Sequence, residues 1–191
     1  LSDGQLPVVY WGMVQAYSAS CEIDKMSTAI DRALELNPND PGMLAVFGNF
    51  LAFGGRWEEG IALIDRALAL EPERSRPWWH YAKAKHQISQ GHYEQALDYF
   101  HDAFQQRNWA SHLNFAYTLS HMGRQSDARN SVNSLLRLNP GYTVEKAAQF
   151  YRLNCFDDQY VAKVRKGLQI AGMPSRSKTA GLNSSEPIAA K

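Results

Sequence analysis

The feature that most limits what this chain can become is a turn that comes back at a nearly constant distance. Four segments share one pattern, a turn residue followed by polar residues and then a small or slim one: CEIDKM at 21–26, GRWEEG at 55–60, GHYEQA at 91–96 and GRQSDA at 123–128. The turn column reads Cys21, Gly55, Gly91 and Gly123, in steps of 34, 36 and 32 residues. Glycine at three of the four fits a helix that ends in the left-handed conformation before a second helix begins. Fourteen residues before the turn stand Pro7, Pro41, Pro77 and Trp109. Proline suits the first helical turn because its missing N–H has no partner there in any case.

Downstream columns hold fixed offsets from the same turn. Five residues on are Met26, Gly60, Ala96 and Ala128; nine on are Ile30, Ile64, Phe100 and Val132; twelve on are Ala33, Ala67, Ala103 and Leu135. These offsets differ by four and three, the spacing of one helical face. Seventeen on are Pro38, Pro72, Asn108 and Pro140, expected to close the second helix. Each unit is therefore read as two antiparallel helices of about 14 residues around a tight turn.

The unit endings ALELNPND, ALALEPER and LLRLNPGY, each following a turn glycine or its stand-in, resemble tetratricopeptide repeats over residues 7–140. The resemblance implies an all-α fold: a right-handed α-solenoid of four tetratricopeptide (TPR)-like helix hairpins, units 7–40, 41–74, 77–108 and 109–140 of a domain spanning 1–140. The first helix of each unit would line the concave side. The third unit departs from the pattern, with two extra residues in its connection and His80 and Lys83 where large apolar residues are usual. Looser packing between the second and third units is the expectation. Of the Trp78–Trp79 pair that follows Pro77, at least one ring is expected in the core.

Two capping helices are expected over 141–174. Thr143 is a suitable N-cap with Glu145 near the positive helix end, opening a helix to about Leu153. Asp157 or Asp158 would cap a last helix with Tyr160, Val161, Val164 and Leu168 on one face, stopped by Gly172 and Pro174. The string NPGYTVEKAAQFYRLNCFDDQYVAKVRKGLQIAGMP is similar to the end of bacterial tetratricopeptide regions that trail nucleotide cyclase or winged-helix regulator domains. That implies a regulatory or sensing segment of a larger signalling protein, acting by intramolecular contact or as a homodimer. Residues 175–191, rich in Ser, Lys, Ala and Thr, are expected to be disordered because they bury too little apolar surface to offset ordering entropy.

Function is expected on the concave stripe. Positions ten, six and two before the turn supply Trp11, Gln15, Asn49, Phe53, Tyr81, Lys85, Tyr117 and His121. Aromatics interleaved with amides and a lysine can hydrogen-bond an extended backbone and seat apolar side chains, so these eight are the candidate groove for a protein or peptide partner. The clamp by which relatives grip a chaperone's terminal carboxylate needs polar groups where Trp11, Ala45 and Ala82 stand.

Other classes find no support in the residues. The six histidines show no zinc spacing, no Gly-x-Ser-x-Gly elbow occurs, and Gly54–Gly55 is a hairpin turn rather than a phosphate cradle. No catalytic residue, metal site or cofactor is expected. A net charge of +1 leaves no electrostatic footprint for nucleic acid, and no apolar run approaches the ~20 residues that span a bilayer. The first residues lack the layout of a signal peptide, and a start at Leu1 reads as a piece of a longer chain. Cys21 and Cys155, far apart and beside apolar residues, read as buried free thiols, which points to the cytoplasm.

Overall fold

The computed structural model describes residues 6–74 and 76–175. The expected tail from 176 onward lies outside the described residues, and so do residues 1–5. Among the described residues there are ten α-helices and no strand. They are α1 (Leu6–Ser20), α2 (Ile23–Leu36), α3 (Pro41–Phe53), α4 (Trp57–Leu70), α5 (Tyr81–Gln90), α6 (Tyr93–Asp102), α7 (Trp109–His121), α8 (Gln125–Leu138), α9 (Val144–Leu153) and α10 (Asp158–Ile170). No helix is long and apolar enough to cross a membrane.

Helices pair as α1–α2, α3–α4, α5–α6 and α7–α8, and α2, α4 and α6 pack on α3, α5 and α7, the first helices of the units that follow them. The turn column does what its composition requires: Cys21, Gly55, Gly91 and Gly123 have φ of 55, 91, 84 and 74°. The columns after the turn form the core, with Ile30, Ala33, Ile64, Ala67, Ala96, Phe100, Ala128 and Leu135 all buried. Side-chain caps close the helix starts at Asp40, Asn108, Thr143 and Asp157, whose oxygens accept from the amides of Met43, Ala110, Lys146 and Tyr160.

The third unit differs from expectation in two places. Pro77–His80 forms a 3-10 turn, so α5 starts four residues late at Tyr81. At the other end, α6 stops at Asp102, and Asn108, expected to close this helix, instead caps α7. With no proline at that point, the side chain of Asn108 accepts from the Ala110 amide of the following helix, and Ser111 Oγ accepts from Gln105 N. Lys83 pairs with Asp65 and so ties this unit to α4. Trp79 is buried beside Leu44, Ala45 and Ala67, while Trp78 is half-buried and meets it edge-on.

The last two helices are in register with the repeat. Cys155 stands 32 residues after Gly123, with φ of 65°, and Tyr160 and Val164 follow it by five and nine as in the four earlier units. The hairpin α9–α10 is thus a fifth unit by sequence, but not by packing. Its main partner is α7, and it meets that helix through α10 rather than presenting α9 to α8. One core encloses α5 to α10, and a second lies within the first two units.

Candidate functional site

The first-helix stripe divides into two parts. In the first two units, Trp11 packs on Phe47 at 5.5 Å, Gln15 is exposed, and Asn49 is buried with its Nδ2 donating to Ala45 O at 2.8 Å. The Oδ1 of Asn49 is itself buried and has no hydrogen-bond partner among the described residues. From Phe53 onward the stripe is covered by the chain's own C-terminal hairpin.

That cover is built residue by residue. Phe156, in the turn between α9 and α10, lies 4.8 Å from the Phe53 ring and 6.2 Å from that of Trp57. On its other sides it meets Tyr151 at 5.2 Å and Tyr160 at 4.5 Å. The Nζ of Lys85 is 5.4 Å from the Phe156 ring centre, 4.6 Å from that of Tyr151, 5.7 Å from Phe53 and 5.9 Å from Tyr81. Lys85 is only 5% exposed. Burial pushes its ammonium pKa down to about 7, against the attraction of the ring faces for a cation. A cavity of about 80 Å3 adjoins it, lined by Phe53, Tyr81, Asn114, Tyr151 and Phe156 among others.

A buried polar network fastens the hairpin. Lys85 donates to Tyr151 Oη at 3.3 Å and to Asn114 Oδ1 at 3.5 Å. Asn114 Oδ1 also accepts from Tyr151 at 3.0 Å and Tyr117 at 3.3 Å, and the Tyr117 and Tyr160 hydroxyls stand 3.2 Å apart. Burial holds all three tyrosine hydroxyls well above their ordinary pKa. Farther along, His121 stacks on Tyr93 and its Nε2 donates to Lys163 O at 2.8 Å, while Ser120 Oγ donates to Gly167 O at 2.6 Å. Lys163 in turn donates to Ser89 O at the end of α5. The candidate residues Phe53, Tyr81, Lys85, Tyr117 and His121 are therefore brought together, around a segment of the same chain.

The cysteines correct the reading of free thiols. Cys21 and Cys155 are joined in a disulfide with Cα atoms 5.5 Å apart. They occupy the equivalent turn position in the first and fifth hairpins, the two places in the column without glycine. The hairpin that lies on the stripe brings the fifth turn against the first. With the bond in place, the argument from free thiols for the cytoplasm falls. The continuing column at Cys155 was the available signal. Phe156, Asn114 and Tyr151, which complete the site, carry no periodic mark.

Hairpins of this size stacked through alternate helices define a tetratricopeptide-type α-solenoid. The fold is similar to the crystal structure of PilW, a widely conserved type IV pilus biogenesis factor, with a TM-score of 0.67 and 19% identity over 90% of this chain and 76% of that one. It is similar to MamA at 0.61 and 15% over 96% and 100% of the two chains. It is also similar to YrrB, a TPR protein with an unusual peptide-binding site, at 0.54 and 17% over 84% of each. At these identities the likeness is one of fold. The chain matches no family profile and no curated protein.

Proposed function

We propose that this chain is a non-catalytic scaffold that holds a protein or peptide partner along its first-helix stripe. The observation that carries this reading is the uncovered part of the stripe. Gln15 is exposed beside half-buried Trp11, so its amide faces solvent where a partner's backbone can reach it, whereas Asn49 is buried behind them. An amide that can accept from an extended chain, next to an indole, is suited to peptide capture. The peptide-binding site of YrrB, on the same fold, supports the reading by analogy. The remaining stripe residues Phe53, Tyr81, Lys85, Tyr117 and His121 belong to the same groove, in the part filled by α9–α10. The test is cross-linking of the native protein with its partners, comparing Gln15→Ala with a control at exposed Glu58 on α4. A partner lost only from the stripe variant supports the scaffold; if none depends on the stripe, the reading fails.

The disulfide adds a compartment to this proposal. Disulfides persist where the surroundings are oxidising, so we place the chain there rather than in a reducing cytoplasm. A second reading, the regulatory end of a larger bacterial signalling protein, is supported by the C-terminal string folding as a closed unit. Val144 N donates to Pro174 O at 3.0 Å, joining its two ends. A cyclase or winged-helix domain upstream in the reading frame would support it, and its absence from the full reading frame would remove it.

A further inference from the structure

The C-terminal hairpin occupies a site that the repeat pattern would otherwise leave open, and one covalent bond ties its tip in place. We propose that the Cys21–Cys155 disulfide is a redox latch: oxidised, it keeps Phe156 seated on Phe53 and Trp57 over Lys85; reduced, it lets the α9–α10 turn withdraw and opens that seat to an aromatic side chain of a protein partner. This inference rests on the reading of the stripe as a partner groove and adds its regulation.

Three observations carry it. The first is access: Cys21 is an exposed residue and Cys155 a half-buried one, so the bond lies at the surface rather than in the core. Exposed disulfides are the labile and regulatory ones. The second is backbone: Cys21 and Cys155 both sit at positive φ, where the other hairpin turns use glycine. An L side chain there is disfavoured, so breaking the bond frees two turns that no longer have a reason to stay close. The third is the seat itself. The Phe156 side chain is held on Phe53 and Trp57 by ring contacts, while its backbone N–H donates to Tyr151 O within the hairpin itself, and it lies above Lys85 and beside a cavity that the ring does not fill. By contrast, α10 is anchored on α7 through Ser120, His121 and Gly167. The turn can therefore open while the rest of the hairpin stays docked.

The chemistry balances with a dithiol protein as reductant. Its first thiolate attacks Cys21 Sγ, breaking the S–S bond and releasing Cys155 as thiolate, which takes a proton. Its second thiolate then displaces Cys21 from the mixed disulfide. Two electrons and two protons pass to the chain, and the reductant leaves as a disulfide.

The experiment uses the full chain, oxidised and after reduction with dithiothreitol, together with Cys21→Ser/Cys155→Ser. Hydrogen exchange is followed over 153–160, and binding is measured for a labelled synthetic peptide of residues 151–160 carrying serine in place of Cys155. The expected result is exchange at least tenfold faster at 153–160 in the reduced chain, with α3, α4 and α7 unchanged. Peptide binding is expected to be at least tenfold tighter to the reduced form and lost when the peptide's phenylalanine is alanine. Exchange that does not depend on redox state overturns the latch and leaves the scaffold reading in place. An open turn with no peptide binding overturns the aromatic seat. Loss of helicity on reduction also overturns the latch, because the bond is then a structural staple. Failure of the scaffold itself shows separately, as indifference of every partner to the Gln15 substitution.

Discussion

Gly167 of α10 lies against the backbone of Tyr117 of α7, so close that a Cβ at 167 would stand 2.8 Å from both the carbonyl oxygen and the Cβ of Tyr117. A contact this tight between two helices leaves room for hydrogen and nothing larger. Gly167→Ala must push α10 away from α7 and lengthen the Ser120 bond to the Gly167 carbonyl. The expected cost is about 1–3 kcal/mol, the range for overpacking. Thermal unfolding followed by circular dichroism should show Tm lowered by about 2–4 °C per kcal/mol.

Removing the disulfide acts on stability through a loop of 134 residues in sequence separation. Releasing a link that long is expected to lower stability by about 2–4 kcal/mol, read from urea midpoints of oxidised and reduced protein. The turn conformation adds a sharper comparison. Cys21→Gly and Cys21→Ala lose the same bond, but glycine accepts φ of 55° and alanine does not. The glycine variant is expected to be about 1 kcal/mol more stable than the alanine variant.

Lys85 sets a direction for the pH dependence. In the folded chain its ammonium gives up a proton at about 7, whereas the unfolded chain keeps it to about 10.4. Between those values the unfolded state binds more protons, so stability rises with pH, by at most about 1.4 kcal/mol per unit. Below 7 this contribution is flat. Above about 10 the sign reverses, because the unfolded chain ionises tyrosines that Tyr117, Tyr151 and Tyr160 keep protonated by burial. Denaturation midpoints across pH 6–11 are expected to peak near pH 9–10, and Lys85→Met should remove most of the rising limb.

Asn114 accepts from two tyrosine hydroxyls and faces the lysine, so its loss strands several buried donors at once. Asn114→Ala is expected to cost about 1–3 kcal/mol. Tyr117→Phe removes one donor and leaves the acceptor served by Tyr151, so a smaller loss is expected. Urea unfolding of the two variants and their double mutant measures the coupling.

The repeat was legible in the sequence because each column carries a repeated physical demand. Left-handed turns ask for glycine at 55, 91 and 123, and a helix face buried against its neighbour asks for Ile30, Ile64, Phe100 and Val132 at one offset. The third unit escaped in part, since its 3-10 start and early stop at Asp102 depend on Asn108 and Ser111 finding amides that no periodicity announces. The site was half legible. The stripe residues share a phase on the first helices, but what faces Lys85 comes from a segment 66 positions away, at Tyr151, whose place is decided by tertiary packing. Cys155 lay in the turn column and was readable there; its proximity to Cys21 was not, because a stacked fifth hairpin and one folded onto the stripe share the same register.

The bond between the first and fifth turns also changes how such an array should come apart. An open solenoid is quasi-one-dimensional, with each unit touching only its neighbours, so its end units can fray independently and folding can spread from any nucleus. Here the end units are fastened to each other, and α10 lies on the fourth unit's first helix. Neither end can fray alone while the tie holds. The oxidised chain is therefore a ring of dependencies that unfolds as one cooperative body, whereas the reduced chain regains two ends.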